Sequence, residues 1–138
     1  MTDRLEFEYV VADRYLPDGD LRPLLPVTLH SRHNAVDTWG LLDTGADMNM
    51  MPFAIGMELG LSWERLAQEF ELLSLAGFSP ARAVAVDLAI RPWPRLKMAF
   101  AWSTAIESVV ILAQWNFFEM VDVCFSRRQG KTRLELPA

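Results

Sequence analysis

The sequence predicts a single, mainly β domain, folded as a closed, barrel-like sheet with one to three short helices. Three observations carry that expectation. Apolar residues recur with a period of two in many short runs, proline, glycine and aspartate punctuate the chain between them, and few stretches have helical spacing. Many short strands with few helices bury their faces most simply by curling one sheet closed. At 138 residues, 51% hydrophobic and 22% charged, the chain can fill one core but not two ordinary domains. No repeat, low-complexity tract or linker divides residues 1–138, so they form one domain.

Residues 5–11 alternate apolar with acidic before turning apolar, and residues 26–30 repeat the pattern, so both read as strands. Between them, Leu16-Pro17-Asp18-Gly19-Asp20 is a turn, since proline presets φ and glycine accepts positive φ. Residues 36–42 form a strand that runs into Asp43-Thr44-Gly45. Pro52 opens a short helix over 53–59 that Gly60 ends, and a second helix over 63–69 takes Ser62 as its N-cap. Strands follow at 83–90 and 96–102, separated by Arg91-Pro92-Trp93-Pro94, where two prolines interrupt any ladder. A buried strand at 109–112, one or two helical turns within 115–120, and a hairpin of 121–125 with 132–136 across Arg128-Gln129-Gly130 complete the chain.

Composition excludes several functions. A net charge of −5 and scattered basic residues repel a polyanion, so no nucleic-acid partner is expected. The start of the chain lacks a basic segment followed by an apolar run, and no stretch approaches 18 uncharged apolar residues, so no membrane partner is expected and the location expected is cytoplasmic. The single cysteine, Cys124, lies in an alternating run and reads as a buried small apolar residue rather than a reactive thiol. His30 and His33 lack a third ligand, and Asp18 and Asp20 do not continue as a calcium loop, so neither a metal nor another cofactor is expected. No serine has a Gly-x-Ser-x-Gly setting, and the five tryptophans read as core and interface.

Asp43-Thr44-Gly45 is the informative segment. A carboxylate at the end of an apolar strand, followed by a small hydroxyl residue and glycine, presents an acid on a tight turn with little bulk around it. By itself such a triplet recurs by accident; its surroundings make it specific. Leu41-Leu42-Asp43-Thr44-Gly45-Ala46-Asp47 resembles the active-site signature of the retropepsin-like aspartic peptidases, in particular their small bacterial single-domain members. The run from Val110-Ile111-Leu112-Ala113-Gln114-Trp115-Asn116 through Phe117-Phe118 to Phe125 is similar to that family's second block: an apolar strand, a short helix with paired aromatics, and a final strand. With the flanking strands, the resemblance spans roughly residues 5–136.

The resemblance implies a single retropepsin-type lobe, an acid-protease-like barrel, with Asp43 as the catalytic carboxylate. It further implies that Thr44 fastens two active-site loops together, that Gly45 lets substrate backbone approach, that Ala46 belongs to the substrate-binding residues, and that Asp47 binds the substrate main chain or a neighbouring basic group. Three features depart from the family pattern. Ala113 stands where glycine is usual, which predicts a displaced turn. The flap segment Leu75-Ala76-Gly77-Phe78-Ser79-Pro80 has one glycine, which predicts a stiffer flap. Met48-Asn49-Met50-Met51 is unusual, and methionine there reads as packing beneath the loop rather than as a pliable subsite.

The chemistry sets the assembly. An aspartic peptidase needs two carboxylates sharing a proton, one acting as base on water and the other as acid toward the carbonyl. This chain has one Asp-Thr-Gly, so the pair must come from a homodimer whose two-fold axis brings Asp43 to its twin. Carboxylates about 3 Å apart cannot both ionise freely, and the pair titrates as a unit. The partner expected besides the second copy is a polypeptide substrate, held extended between flap and floor. Its alternate side chains meet apolar walls at Leu75, Gly77, Phe78 and Ile111, with Trp115 less central, which predicts endopeptidase cleavage between large apolar residues. A peptide-binding or assembly module with little hydrolytic activity is the alternative, motivated by Ala113 and the glycine-poor flap.

Overall fold

The computed structural model describes residues 3–11, 20–66, 69–74, 77–104 and 109–137. Its strands in chain order are β1 (Arg4–Glu8), β2 (Val10–Val11), β3 (Leu21–Arg22), β4 (Leu24–His30), β5 (Ala35–Leu42), β6 (Met50–Pro52), β7 (Phe70–Ser74), β8 (Gly77–Ala89), β9 (Leu96–Ser103), β10 (Val110–Leu112), β11 (Asp122–Ser126) and β12 (Lys131–Glu135). Helices α1 (Phe53–Glu58) and α2 (Phe117–Met120) and a 3-10 turn at Trp63–Arg65 are the helical elements. The expected mainly β architecture is therefore the one adopted. The turn expected over 16–20 lies outside the described residues except for Asp20, which pairs with Arg22 at 2.7 Å.

Strands β4, β5, β10, β6, β9 and β8 lie side by side in that order, and β4 pairs again with β8 through Thr28↔Ala89, Leu29↔Leu88 and His30↔Asp87. The sheet thus closes into a ring, with β4 joined to β8 over residues 28–30. Period-two burial fills the inside: Leu25, Val27 and Leu29 of β4, Val84, Val86 and Leu88 of β8, and Met98, Phe100 and Trp102 of β9 are all buried. Pro26 sits in β4 before Thr28, where β8 is not yet alongside, so one flank of the strand is open and a missing N–H is tolerated.

Helix α1 runs between Pro52 and a glycine stop, as expected. Gly60 has φ +78, its N–H reaches Met57 O at 3.0 Å, and the Leu61 N–H reaches Gly56 O at 3.0 Å, the reciprocal pair that closes a helix on a left-handed residue. The helix lies directly on Trp102, whose indole N–H donates to Phe53 O at 3.0 Å and whose ring stacks on Phe53 at 5.1 Å. A Cβ at Gly56 would enter that indole, which explains a glycine inside a helix despite its poor propensity.

The helix expected over 63–69 is a correction: among the described residues of that stretch only the 3-10 turn Trp63–Arg65 forms. Ser62 makes no capping hydrogen bond and Leu66 is extended, which ends the turn. The carbonyl at its start is satisfied from β8: Trp63 O accepts the Leu66 N–H at 3.3 Å and the Arg82 guanidinium at 2.5 Å.

A second sheet, β1-β12-β11, is built from the two ends of the chain. Its outer face carries Arg4, Glu6 and Glu8 of β1 and Arg133 and Glu135 of β12. Glu6 meets Lys131 at 3.1 Å and Arg133 at 3.0 Å, and hydrogen bonds from Lys131 and then Arg133 hold its carboxyl below the usual glutamate range. A carboxyl lowered by folding stabilises the fold above its ordinary value of 4.5, and that contribution fades as pH falls through the folded-state value. Glu6→Gln is therefore expected to lower the thermal midpoint slightly at about pH 7 and to match wild type in strong acid. Thermal melts across pH check this; a difference that persisted at about pH 2 would contradict the ion-pair account.

Cys124 is a second correction, since it is exposed rather than buried. Val121 is buried and Val123 half-buried, so alternation turns Cys124 outward, level with Arg133 and Glu6. The two edges of this sheet differ. Strand β1 is guarded by three charges, whereas β11 has none from Val123 to Ser126 and leaves Phe125 37% exposed.

Candidate active site

Strands β5 and β6 are consecutive in the chain but are not neighbours. Strand β10 lies between them, parallel to β5 (Leu112↔Leu42) and antiparallel to β6 (Ile111↔Met50). Residues 43–49 must therefore step across the end of β10, and the segment after β10 must cross against them. Asp43 stands at this crossing, its N–H bonded to Leu112 O at 3.0 Å.

The turn positions the carboxylate. Asp43 Oδ1 accepts the Gly45 N–H at 2.9 Å, and the Ala46 N–H reaches Asp43 O at 3.3 Å. A Cβ on Gly45 would stand 3.3 Å from that same oxygen, so any side chain there would crowd the acid. Asp43 is half-buried, Ala46 is buried, and Thr44, Gly45 and Asp47 are exposed. The acid is thus fixed at its base while the turn beside it faces outward.

The crossing segment holds the turn from behind. Gln114 donates through Nε2 to Thr44 O at 2.9 Å and through its backbone N–H to Ala46 O at 3.2 Å. The Trp115 N–H reaches Asp47 O, and the Asn49 N–H reaches Trp115 O, each at 2.7 Å. At the centre is Asn49, fully buried. Its Oδ1 accepts the Ala113 N–H at 2.7 Å, and its Nδ2 donates to Ala99 O at 3.1 Å and to Asn116 Oδ1 at 3.2 Å. One amide therefore ties the turn, the segment after β10 and β9 together.

Asp43, Thr44, Gly45, Ala46 and Asp47 thus share one turn, with half-buried Ile111 on the adjoining strand. Gly77 and Phe78 belong to the β7–β8 hairpin, which pairs Ser74↔Gly77 and Leu73↔Phe78; Leu75 lies outside the described residues. The base of this hairpin, Leu72 with Ala81, packs with Ala101 against Met48 and Met50 just beyond the turn. Phe78 itself is 68% exposed and Leu73 66%. Met51 is fully buried, so methionine here serves packing as expected. Ala113 is fully enclosed: its N–H donates to Asn49 Oδ1 and its carbonyl accepts the Phe118 N–H at 3.1 Å.

Sequence reasoning missed the roles of Asn49, Gln114 and Asn116. A signal for Asn49 existed, because period two from buried Met51 places it on the inward face. Among the described residues, no group of three or more His, Cys, Asp or Glu is placed to hold a metal ion, and no helix is long and apolar enough to cross a membrane.

No family model and no curated protein matches this sequence. Solved structures do match. The crystal structure of a retropepsin-like aspartic protease from Rickettsia conorii superposes with a TM-score of 0.65 at 12% identity, covering 96% of this chain and 99% of that one. EIAV protease complexed with the inhibitor HBY-793 gives a TM-score of 0.53 at 18% identity, covering 72% of this chain and 88% of that one. The chain has the fold of the retropepsin-like aspartic proteases.

Proposed function

We propose that the protein is a homodimeric aspartic endopeptidase in which each subunit contributes Asp43. The observation that carries this reading is the Asp43 carboxylate, held by the Gly45 N–H on a turn whose Thr44 and Gly45 face solvent. In the dimer one Asp43 is ionised and takes a proton from water as its oxygen attacks the peptide carbonyl carbon. The other is protonated and donates to the carbonyl oxygen. The tetrahedral species then collapses as a proton passes to the leaving amine nitrogen. Thr44 fastens the paired turns, Gly45 admits substrate backbone, and Ala46 and Asp47 contact its main chain. Phe78 and Ile111, with Leu75 and Gly77 in the hairpin, wall the cleft.

The dimer needs an edge that two copies share. Strand β11 is suited to this: it carries no charge from Val123 to Ser126, and it follows directly from α2, whose first turn is bonded to Ala113 behind the catalytic turn. Antiparallel pairing of β11 with its twin would keep the two Asp43 turns on one axis. Phe125→Lys should therefore give a folded monomer by sedimentation and circular dichroism, with cleavage of a mixed peptide substrate falling in step with the lost dimer. Full activity in that monomer would exclude the shared dyad.

A silent peptide-binding dimer is favoured by Ala113, in place of the usual glycine, and by the hairpin, whose described residues hold one glycine, Gly77. Folded wild-type dimers that bind peptides but never cut them would select it.

A further inference from the structure

Between α1, the 3-10 turn and the start of β8 lies a hollow of about 540 Å³, walled by Phe53, Met57, Trp63 and Pro80 and flanked by Glu64 and Glu69. We propose that it is a docking site for a basic polypeptide segment that presents arginine beside a large apolar residue. None of its lining residues belongs to the turn at 43–47 or to the segment crossing behind it, so the inference goes beyond the peptidase reading and stands apart from it.

The walls follow from the local sequence. Phe53 and Met57 are one helical turn apart and share a face of α1. Phe53 is held by Trp102, stacked at 5.1 Å, and by the edge of Trp63 at 5.7 Å, whereas Met57 has no such cover and is 55% exposed. Pro80 of β8, also exposed, adds a further apolar wall. A thioether left bare on the surface adapts to apolar side chains of different shapes.

Charge selects the occupant. Among the described residues no Lys, Arg or His lines the hollow, and both charged groups there are carboxylates. Glu64 has no ion-pair partner among the described residues, and Glu69, half exposed, meets Arg82 at 3.9 Å. The chain itself shows what these groups accept. The Arg82 guanidinium lies 4.9 Å from the centre of the Trp63 ring, donates to Trp63 O and faces Glu69. Arg82 does not line the hollow, so what the hollow presents of Trp63, Glu64 and Glu69 is open to a second guanidinium. Arginine suits these groups better than lysine, because its planar fork pairs with carboxylates and stacks on indole while its stem lies along apolar surface. The apolar walls, with room for more than one side chain, call for a large apolar neighbour, which a polypeptide supplies and a lone cation does not. The net charge of −5 draws such a basic segment toward the protein.

Peptide binding to the Asp43→Asn protein, which leaves the probe uncut, tests this. A short labelled peptide with Leu-Arg-Leu-Arg at its centre is titrated beside its Leu-Gln-Leu-Gln twin, and fluorescence anisotropy gives each Kd. The arginine peptide is expected to bind roughly tenfold more tightly, and to weaken as salt rises. Glu64→Gln combined with Glu69→Gln should remove that advantage. Met57→Lys, at an exposed helix position, should abolish binding while the circular dichroism stays that of the parent. Equal affinities for the two peptides, no binding of either, or binding untouched by both variants would overturn the docking site. Association beyond the proposed dimer that Met57→Lys dissolves would make the occupant another copy of this chain, and the proposal of a separate partner would fail. Cleavage by the wild type does not enter these Kd values, so failure of the peptidase reading leaves the docking site standing.

Discussion

Asp43→Asn is expected to reduce peptide cleavage by roughly 10⁴-fold or more while leaving fold and dimer intact. The amide has the shape of the carboxylate, and its oxygen can still accept the Gly45 N–H now held at 2.9 Å. What it loses is the ability to take a proton from water or to give one to the carbonyl, and in the proposed homodimer both carboxylates are replaced at once. Product mapping by mass spectrometry, with sedimentation at matched concentrations, checks the prediction. An Asn variant within about tenfold of wild type would show that the turn does not carry the chemistry.

Asn49→Ala should destabilise the fold by about 3 kcal/mol or more, since each buried polar group left without its partner costs about 1–3 kcal/mol. The Ala113 N–H, now bonded at 2.7 Å, and Asn116 Oδ1 both lose a partner in a site closed to water. The thermal midpoint should fall by about 10 °C. Asn49→Asp should be no better, because it discards the donor to Ala99 O and Asn116. Cleavage should fall further than the folded fraction does, since the same amide anchors the segment that bonds Thr44, Ala46 and Asp47 from behind. A midpoint within about 2 °C of wild type would refute the account of Asn49 as the tie between turn, β9 and the crossing segment.

Much of the architecture was legible because its causes are local. The alternation that buries Val84, Val86 and Leu88 along β8 is written in consecutive residues, and the stop at Gly60 needs only residues within one helical turn. The acid turn was legible for the same reason, since Asp43 Oδ1 and the Gly45 N–H are two residues apart. The missed features depend on distant partners. The short turn at Trp63 is bonded to Arg82, 19 residues on, and Asn49 becomes structural only when residues 50 to 67 positions away arrive beside it.

By itself, then, the sequence determined the mainly β class, most of the longer strands, the glycine-closed helix and the turn that presents Asp43, because each follows from short-range sterics and periodicity; strands β3, β6 and β7 and the first part of β8 were not among those it marked. Only the tertiary structure decided that β4 meets β8 to close the ring, that β10 enters between β5 and β6, and that Cys124 faces outward on an open edge. Strand pairing joins residues with no local signature of each other, and its register sets which face every side chain takes.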